Sequence, residues 1–336
     1  MNCVDVHAHY CPIEFYQKLE SRKSIPYVRR QDEGAWLFKY GKDQSSSVRS
    51  RMYSLEHRLG EMNARGIKTQ ILSPLLHGIH ALPAKLGLDL CRLVNDKVTE
   101  VARESKGRFE AFGVLPLQSI DESLKELERI RTLNVMGVVF LSNLAGKFLD
   151  EPSLLPVYKA LESMNLTVFI HPTHPVNDKG MKDHHLISCL GFLYDTTLAM
   201  SRIIFSGLLE RFAKLRFILP HVGSLIPYIT ARMDKEIKRD PEKESMKRAP
   251  SEYFKLVHVD TVSLHPPALT LVHSYLGADR ILFGCDYPFW GIGEGFDSVQ
   301  RLDIPAEDKE KIFYRNAEKL FGLIDSHKTT QTAMLL

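Results

Sequence analysis

The chain of 336 residues is short of the features that mark several protein classes. It has five cysteines, Cys3, Cys11, Cys91, Cys189 and Cys285, scattered without a CxxC spacing, which suits reduced thiols better than a disulfide framework. It lacks an apolar run of the ~20 residues a membrane span needs, and its first residues lack the charged-then-apolar pattern of a signal peptide. It lacks a dominant charge: 44 basic against 41 acidic residues leave a formal net charge of +3, too little for a nucleic-acid or membrane surface to be a partner. Internal repeats and low-complexity blocks are missing too. What these absences leave is a cytoplasmic protein that, at 44% hydrophobic and 25% charged residues, can bury a large core.

What is present is alternation. Short β-rich runs at 3–7, 68–73, 109–115, 135–141, 167–171, 216–221, 257–262 and 280–286 are separated by longer amphipathic patterns, among them 54–66, 89–107, 119–134 and 154–165. Strand alternating with helix argues for a parallel sheet, and eight such units for an α/β fold of the (β/α)8 TIM barrel type. The expected organisation is a single domain over 1–325, with a lid insertion at about 20–53 after the first strand and a frayed tail at 326–336.

In such a barrel the C-terminal strand ends converge on one site. The first strand ends in His7-Ala8-His9, the fifth in His171-Pro172, the sixth in His221 and the eighth in Asp286-Tyr287-Pro288. A histidine alone is more often structural than functional, and an aspartate alone caps a turn. Together, at four strand ends, His7, His9, His171 and Asp286 suit one divalent metal ion, zinc first and manganese or iron as alternatives. The fourth strand ends in Ser142-Asn143, with no lysine or glutamate to bridge a second ion. His221, free of ligation, is then a general acid or base, since imidazole ordinarily titrates near neutrality. His57, His185, His258, His265 and His273 read as structural, while His77, His80 and His174 follow strand ends without a defined role. Arg49 and Arg51 lie in the long first insertion, where a guanidinium can grip a carboxylate, and Arg232 lies in the helix after the sixth strand.

The stretches DVHAHY, FIHP, LPHVGSLIPY, FGCDYPF and RNAEKLFGL, between about Val4 and Leu323, resemble the decarboxylase branch of the amidohydrolase superfamily. The HxH at strand one leans towards the muconate-type enzymes of that branch or towards hydrolases of the same fold. The resemblance implies that His7, His9, His171 and Asp286 bind the metal and that His221 is the catalytic histidine. It places Arg49 at the carboxylate-binding arginine, and Arg232 at an arginine that reaches a neighbouring subunit, hence a homodimer. Two departures reshape the pocket: Val222 and Ser224 stand where that branch carries glycines, and a tryptophan expected after strand five is missing around Ser188. The expected activity is a metal-dependent, nonoxidative carbon–carbon lyase that removes CO2 from an unsaturated or aromatic small-molecule carboxylic acid. The alternative is a metal-dependent hydrolase of an ester, lactone or amide; a barrel kept only as a binding module is disfavoured by the complete donor set.

Overall fold

The computed structural model describes residues 2–42, 44–239 and 246–323; the tail expected at 326–336 lies outside them, as does part of the charged run at 234–248. Eleven strands are present among these residues. Eight form one parallel sheet, β1 (Val4–His9), β5 (Thr69–Ser73), β6 (Phe109–Val114), β7 (Gly137–Leu141), β8 (Thr167–His171), β9 (Arg216–Leu219), β10 (His258–Asp260) and β11 (Ile281–Leu282), in that spatial order. The remaining three, β2 (Tyr27–Arg30), β3 (Trp36–Gly41) and β4 (Gln44–Val48), form a separate antiparallel sheet.

The eight-stranded sheet curls back on itself. Val6 donates its N–H to the Phe283 carbonyl at 2.9 Å, and Ala8 bridges Tyr287, so the last strand's extension meets the first. This is the (β/α)8 barrel that the alternation predicts. The barrel strands are buried on both faces, because side chains of one parity fill the interior while the other packs under the helices. The helix Leu55–Arg65 shows how local signals set element ends. Ser54 caps it by accepting the His57 N–H, and Gly66, at φ 71°, stops it in a left-handed conformation that costs glycine nothing.

Three expectations change in detail. The first strand runs through both histidines to His9, with a register irregularity against β5 between Asp5 and Ala8. The sixth, seventh and eighth strands stop earlier than their apolar runs, at Leu219, Asp260 and Leu282, because the chain then turns into the site: His221 and Asp286 have φ of 56° and 59°. The insertion read as a long loop is largely the β2–β3–β4 sheet. It is held because Trp36 and Phe38 alternate on one face and bury against Phe15, Tyr16 and Val28.

Candidate metal centre

The four donor residues come from two strands and one post-strand turn. His7 and His9 share one face of β1, as residues two apart in a strand must. His171 ends β8, and Asp286 follows β11, its N–H held by the His7 carbonyl at 2.7 Å. The structure brings all four together: one donor atom from each lies within 4.8 Å of every other, and all four residues are buried.

Their outer atoms decide where their lone pairs point. Nδ1 of His7 meets Asp260 Oδ2 at 2.6 Å, Nδ1 of His9 meets the Ser73 carbonyl at 3.3 Å, and Nδ1 of His171 meets the Pro172 carbonyl at 2.8 Å. Each acceptor requires an Nδ1–H, which leaves Nε2 as a bare lone pair turned inward. The His7 and His9 Nε2 atoms are 3.0 Å apart, and Asp286 Oδ1 lies 3.4 Å and 2.8 Å from them. Acceptors crowded to that degree repel unless a cation lies between them. Ligands ~2.0–2.1 Å from one tetrahedral ion stand roughly 3.3 Å from each other, close to the three distances among His7, His9 and Asp286. The donor set therefore fits one divalent ion.

The electrostatics agree. Burial disfavours a charged His7, yet Asp260 and Asp286 outweigh it and raise the imidazole from 6.5 to about 10, so this site demands positive charge. Burial pushes His9 and His171 down, as neutral ligands require. Burial opposes ionisation of Asp286, but His7 beside it holds it well below the usual carboxylate range.

His221 stands beside this cluster, its Nε2 3.9 Å from Asp286 Oδ2. Its own Nδ1 is buried without a hydrogen-bond partner among the described residues. It opens a run of four residues with positive φ, His221, Val222, Gly223 and Ser224. Val222 and Ser224, noted above where glycines were expected, thus occupy backbone that disfavours side chains, and both line the cavity above the donors.

That cavity, about 1160 Å³, has His171, His221 and Asp286 on its floor. Phe38, Tyr40, Val48 and Met52 of the insertion cover one side, and Phe289 and Trp290 line another. The tryptophan missing after the fifth strand thus has a counterpart after the eighth. His77 lines the cavity stacked on Tyr40 at 4.9 Å, and burial, then His9, push it down to about 4. His174 lines it as well, and so does His185, which the sequence suggests is structural but which sits on the segment facing the barrel mouth. Ser142 and Asn143, at the end of β7, both donate to the buried Asp195 and offer nothing to a second ion.

Arg49 and Arg232 are not brought to the floor. Arg49 is exposed beside the cavity-lining Val48, and Arg232 is exposed on the helix Ile226–Glu236, one turn beyond Tyr228, a mouth residue that is 83% exposed. Asp260 was missed: it lies inside the seventh strand run at 257–262, which reads only as strand, and the structure ends that strand at it.

A family model described as "Amidohydrolase" matches residues 4–323. The chain is 30% identical over 285 residues to the 2-amino-3-carboxymuconate-6-semialdehyde decarboxylase of Dictyostelium discoideum, covering 82% of this chain and 79% of that protein. It is also 30% identical over 323 residues to the gamma-resorcylate decarboxylase of Rhizobium radiobacter, covering 91% and 97%. Among solved structures, 2,6-dihydroxybenzoate decarboxylase from Rhizobium superposes with a TM-score of 0.78 at 26% identity, covering 96% of this chain and 99% of that one.

Proposed function

Because the chain belongs to the amidohydrolase family, on the branch of these decarboxylases, we propose that it is a metal-dependent, nonoxidative carboxy-lyase acting on an aromatic or unsaturated carboxylic acid. The observation that carries this reading is the convergence of three inward imidazole Nε2 atoms and Asp286 beside an unligated histidine, under an aromatic-lined cavity. We assign His7, His9, His171 and Asp286 as ligands of one ion, zinc first by donor type.

An ion held by His7, His9, His171 and Asp286 would supply positive charge to stabilise the negative charge that builds up as CO2 leaves. The chain's residues do the rest. Loss of CO2 leaves the C–C electron pair on carbon, and that carbon must take a proton; His221 Nε2 is placed to deliver it, with Asp286 Oδ2 as its neighbour. The β2–β3–β4 sheet excludes water from the floor. In this reading Arg49, next to cavity-lining Val48, turns in to grip the substrate's carboxylate when the lid closes. A second copy of the chain would present Arg232 to the mouth marked by Tyr228, which makes the enzyme a homodimer. Residues 1–325 form the catalytic unit, in the cytoplasm, where four buried cysteines stay as thiols. Among the described residues no helix is long and apolar enough to cross a membrane.

The hydrolase alternative rests on the fold alone. The test is CO2 release by metal-replete protein on a panel of aromatic and unsaturated carboxylic acids. Release that disappears on chelation is the expected result. Bound metal with no CO2 from any acid, but turnover of esters or lactones, would replace the carboxy-lyase with the hydrolase.

A further inference from the structure

Asp260 ends β10 at the barrel floor, with no exposed surface, and contributes no atom to the four-donor cluster. Its two oxygens face different parts of the site. Oδ2 meets His7 Nδ1 at 2.6 Å; Oδ1 accepts the backbone N–H of His221 at 2.8 Å and of Val262 at 3.0 Å. The carboxylate is also tightly caged. A Cβ added at Gly284 would stand 2.8 Å from His7 Cβ and 3.1 Å from Asp260 Cβ, so only glycine lets β11 close against this pair. Thr261 bonds both backbone groups of Gly284 at 3.1 Å, which fixes that approach.

The backbone that Asp260 grips is costly. His221 and Val222 sit at φ/ψ of 56°/52° and 58°/33°, and Ser224 at 57°/−130°. A left-handed residue with a side chain is disfavoured, a β-branched one more so, and such a run persists only where neighbours over-determine it. At the far end the run is tied by Ser224 Oγ to Thr196 Oγ1 at 2.7 Å and by Leu225 N–H to Thr197 Oγ1 at 3.0 Å. At the near end the His221 N–H is held by Asp260.

We propose that Asp260 is a dual positioning residue: one oxygen fixes the His7 tautomer that turns Nε2 towards the metal, and the other pins the left-handed turn that aims His221 at the same point. One carboxylate thereby sets the distance between the ion and the proton-transfer group. This rests on the metal reading above, and it makes the two halves of the site separable by substitution.

Asp260→Asn keeps Oδ1 for the two backbone N–H groups but presents an N–H to His7 Nδ1, which can then accept only if the proton moves to Nε2. We expect this variant to melt, metal-free, close to the parent, to bind Zn2+ or Mn2+ about 10- to 100-fold more weakly by calorimetry, and to recover turnover at saturating metal. Asp260→Ala, or Asp260→Val should the alanine variant not fold, loses both contacts. It is expected to stay about 100-fold slow at saturating metal, and its crystal structure to show His221 out of the left-handed region. Metal affinity of Asp260→Asn within twofold of the parent would overturn the first role, and an unmoved His221 in the apolar variants the second. If the parent releases no CO2 while the metal-binding and backbone results hold, the proposed reaction fails and this inference stands.

Discussion

At the floor of the barrel, donors from β1, β8 and the turn after β11 point at one spot, and each imidazole has its outer nitrogen tied to a carbonyl or carboxylate. At the rim, the same cavity is enclosed by side chains on segments that are not barrel at all: Phe38 and Tyr40 on the inserted sheet, His185 after β8, Phe289 and Trp290 after β11. The four donor side chains are buried, and the three imidazoles among them have their outer nitrogens paired; at the rim Phe289 is 52% and Trp290 38% exposed. The difference separates chemistry from selection. A floor built from adjacent strands cannot be altered at one residue without disturbing the others, whereas rim segments can change side chains and leave the metal geometry intact.

Breaking the floor outright should have the largest effect. His171→Ala or Asp286→Ala removes a ligand, and we expect loss of bound metal by elemental analysis and CO2 release below detection. His221→Asn should leave metal content unchanged and lower kcat by about 10²–10⁴-fold, the usual worth of a positioned acid–base group; equal loss of metal would mean that His221 belongs to the ligand set. At the rim, Arg49→Ala should raise KM about tenfold, the scale of one charge-assisted carboxylate contact of roughly 1.4 kcal/mol, and spare kcat. An unchanged KM would show that the lid brings no arginine to the substrate.

The smallest effect on turnover is expected at the opposite end of the barrel. Glu110, second residue of β6, is raised by burial from 4.5 to about 7. An acid held up in the folded state binds its proton more tightly there than in the unfolded chain. The Glu110 contribution to stability is therefore fullest below pH 4.5 and declines as pH rises to about 7, by about 2–3 kcal/mol. Glu110→Gln should remove that decline, raise the melting temperature at pH 8 but not at pH 4, and leave kcat untouched.

Much of the floor was legible in the residues. His7 and His9 declare themselves because a strand's period of two puts both on one face, and His171, His221 and Asp286 because barrel strand ends meet whatever lies between them. The role of Asp260 was not legible, since a hydrogen bond to His7 across 253 positions of chain leaves no mark on spacing. The rim was harder still. The insertion at 20–53 gave a length and a composition, but its pairing as β2–β3–β4 and its place over the site depend on Trp36 and Phe38 finding a hydrophobic surface elsewhere.

By itself, then, the sequence determined the (β/α)8 alternation, the ends at which each donor would appear and the residue types that suit one divalent ion, because these follow from local periodicity and ligand chemistry. Only the tertiary structure decided which nitrogen of each imidazole faces inward, that the chain at His221 to Ser224 runs left-handed, and that one aspartate ties the two together. The contacts of Asp260 with His7 and His221 depend on atoms brought within 3 Å from distant segments, and no pattern along the chain encodes them until the barrel has closed.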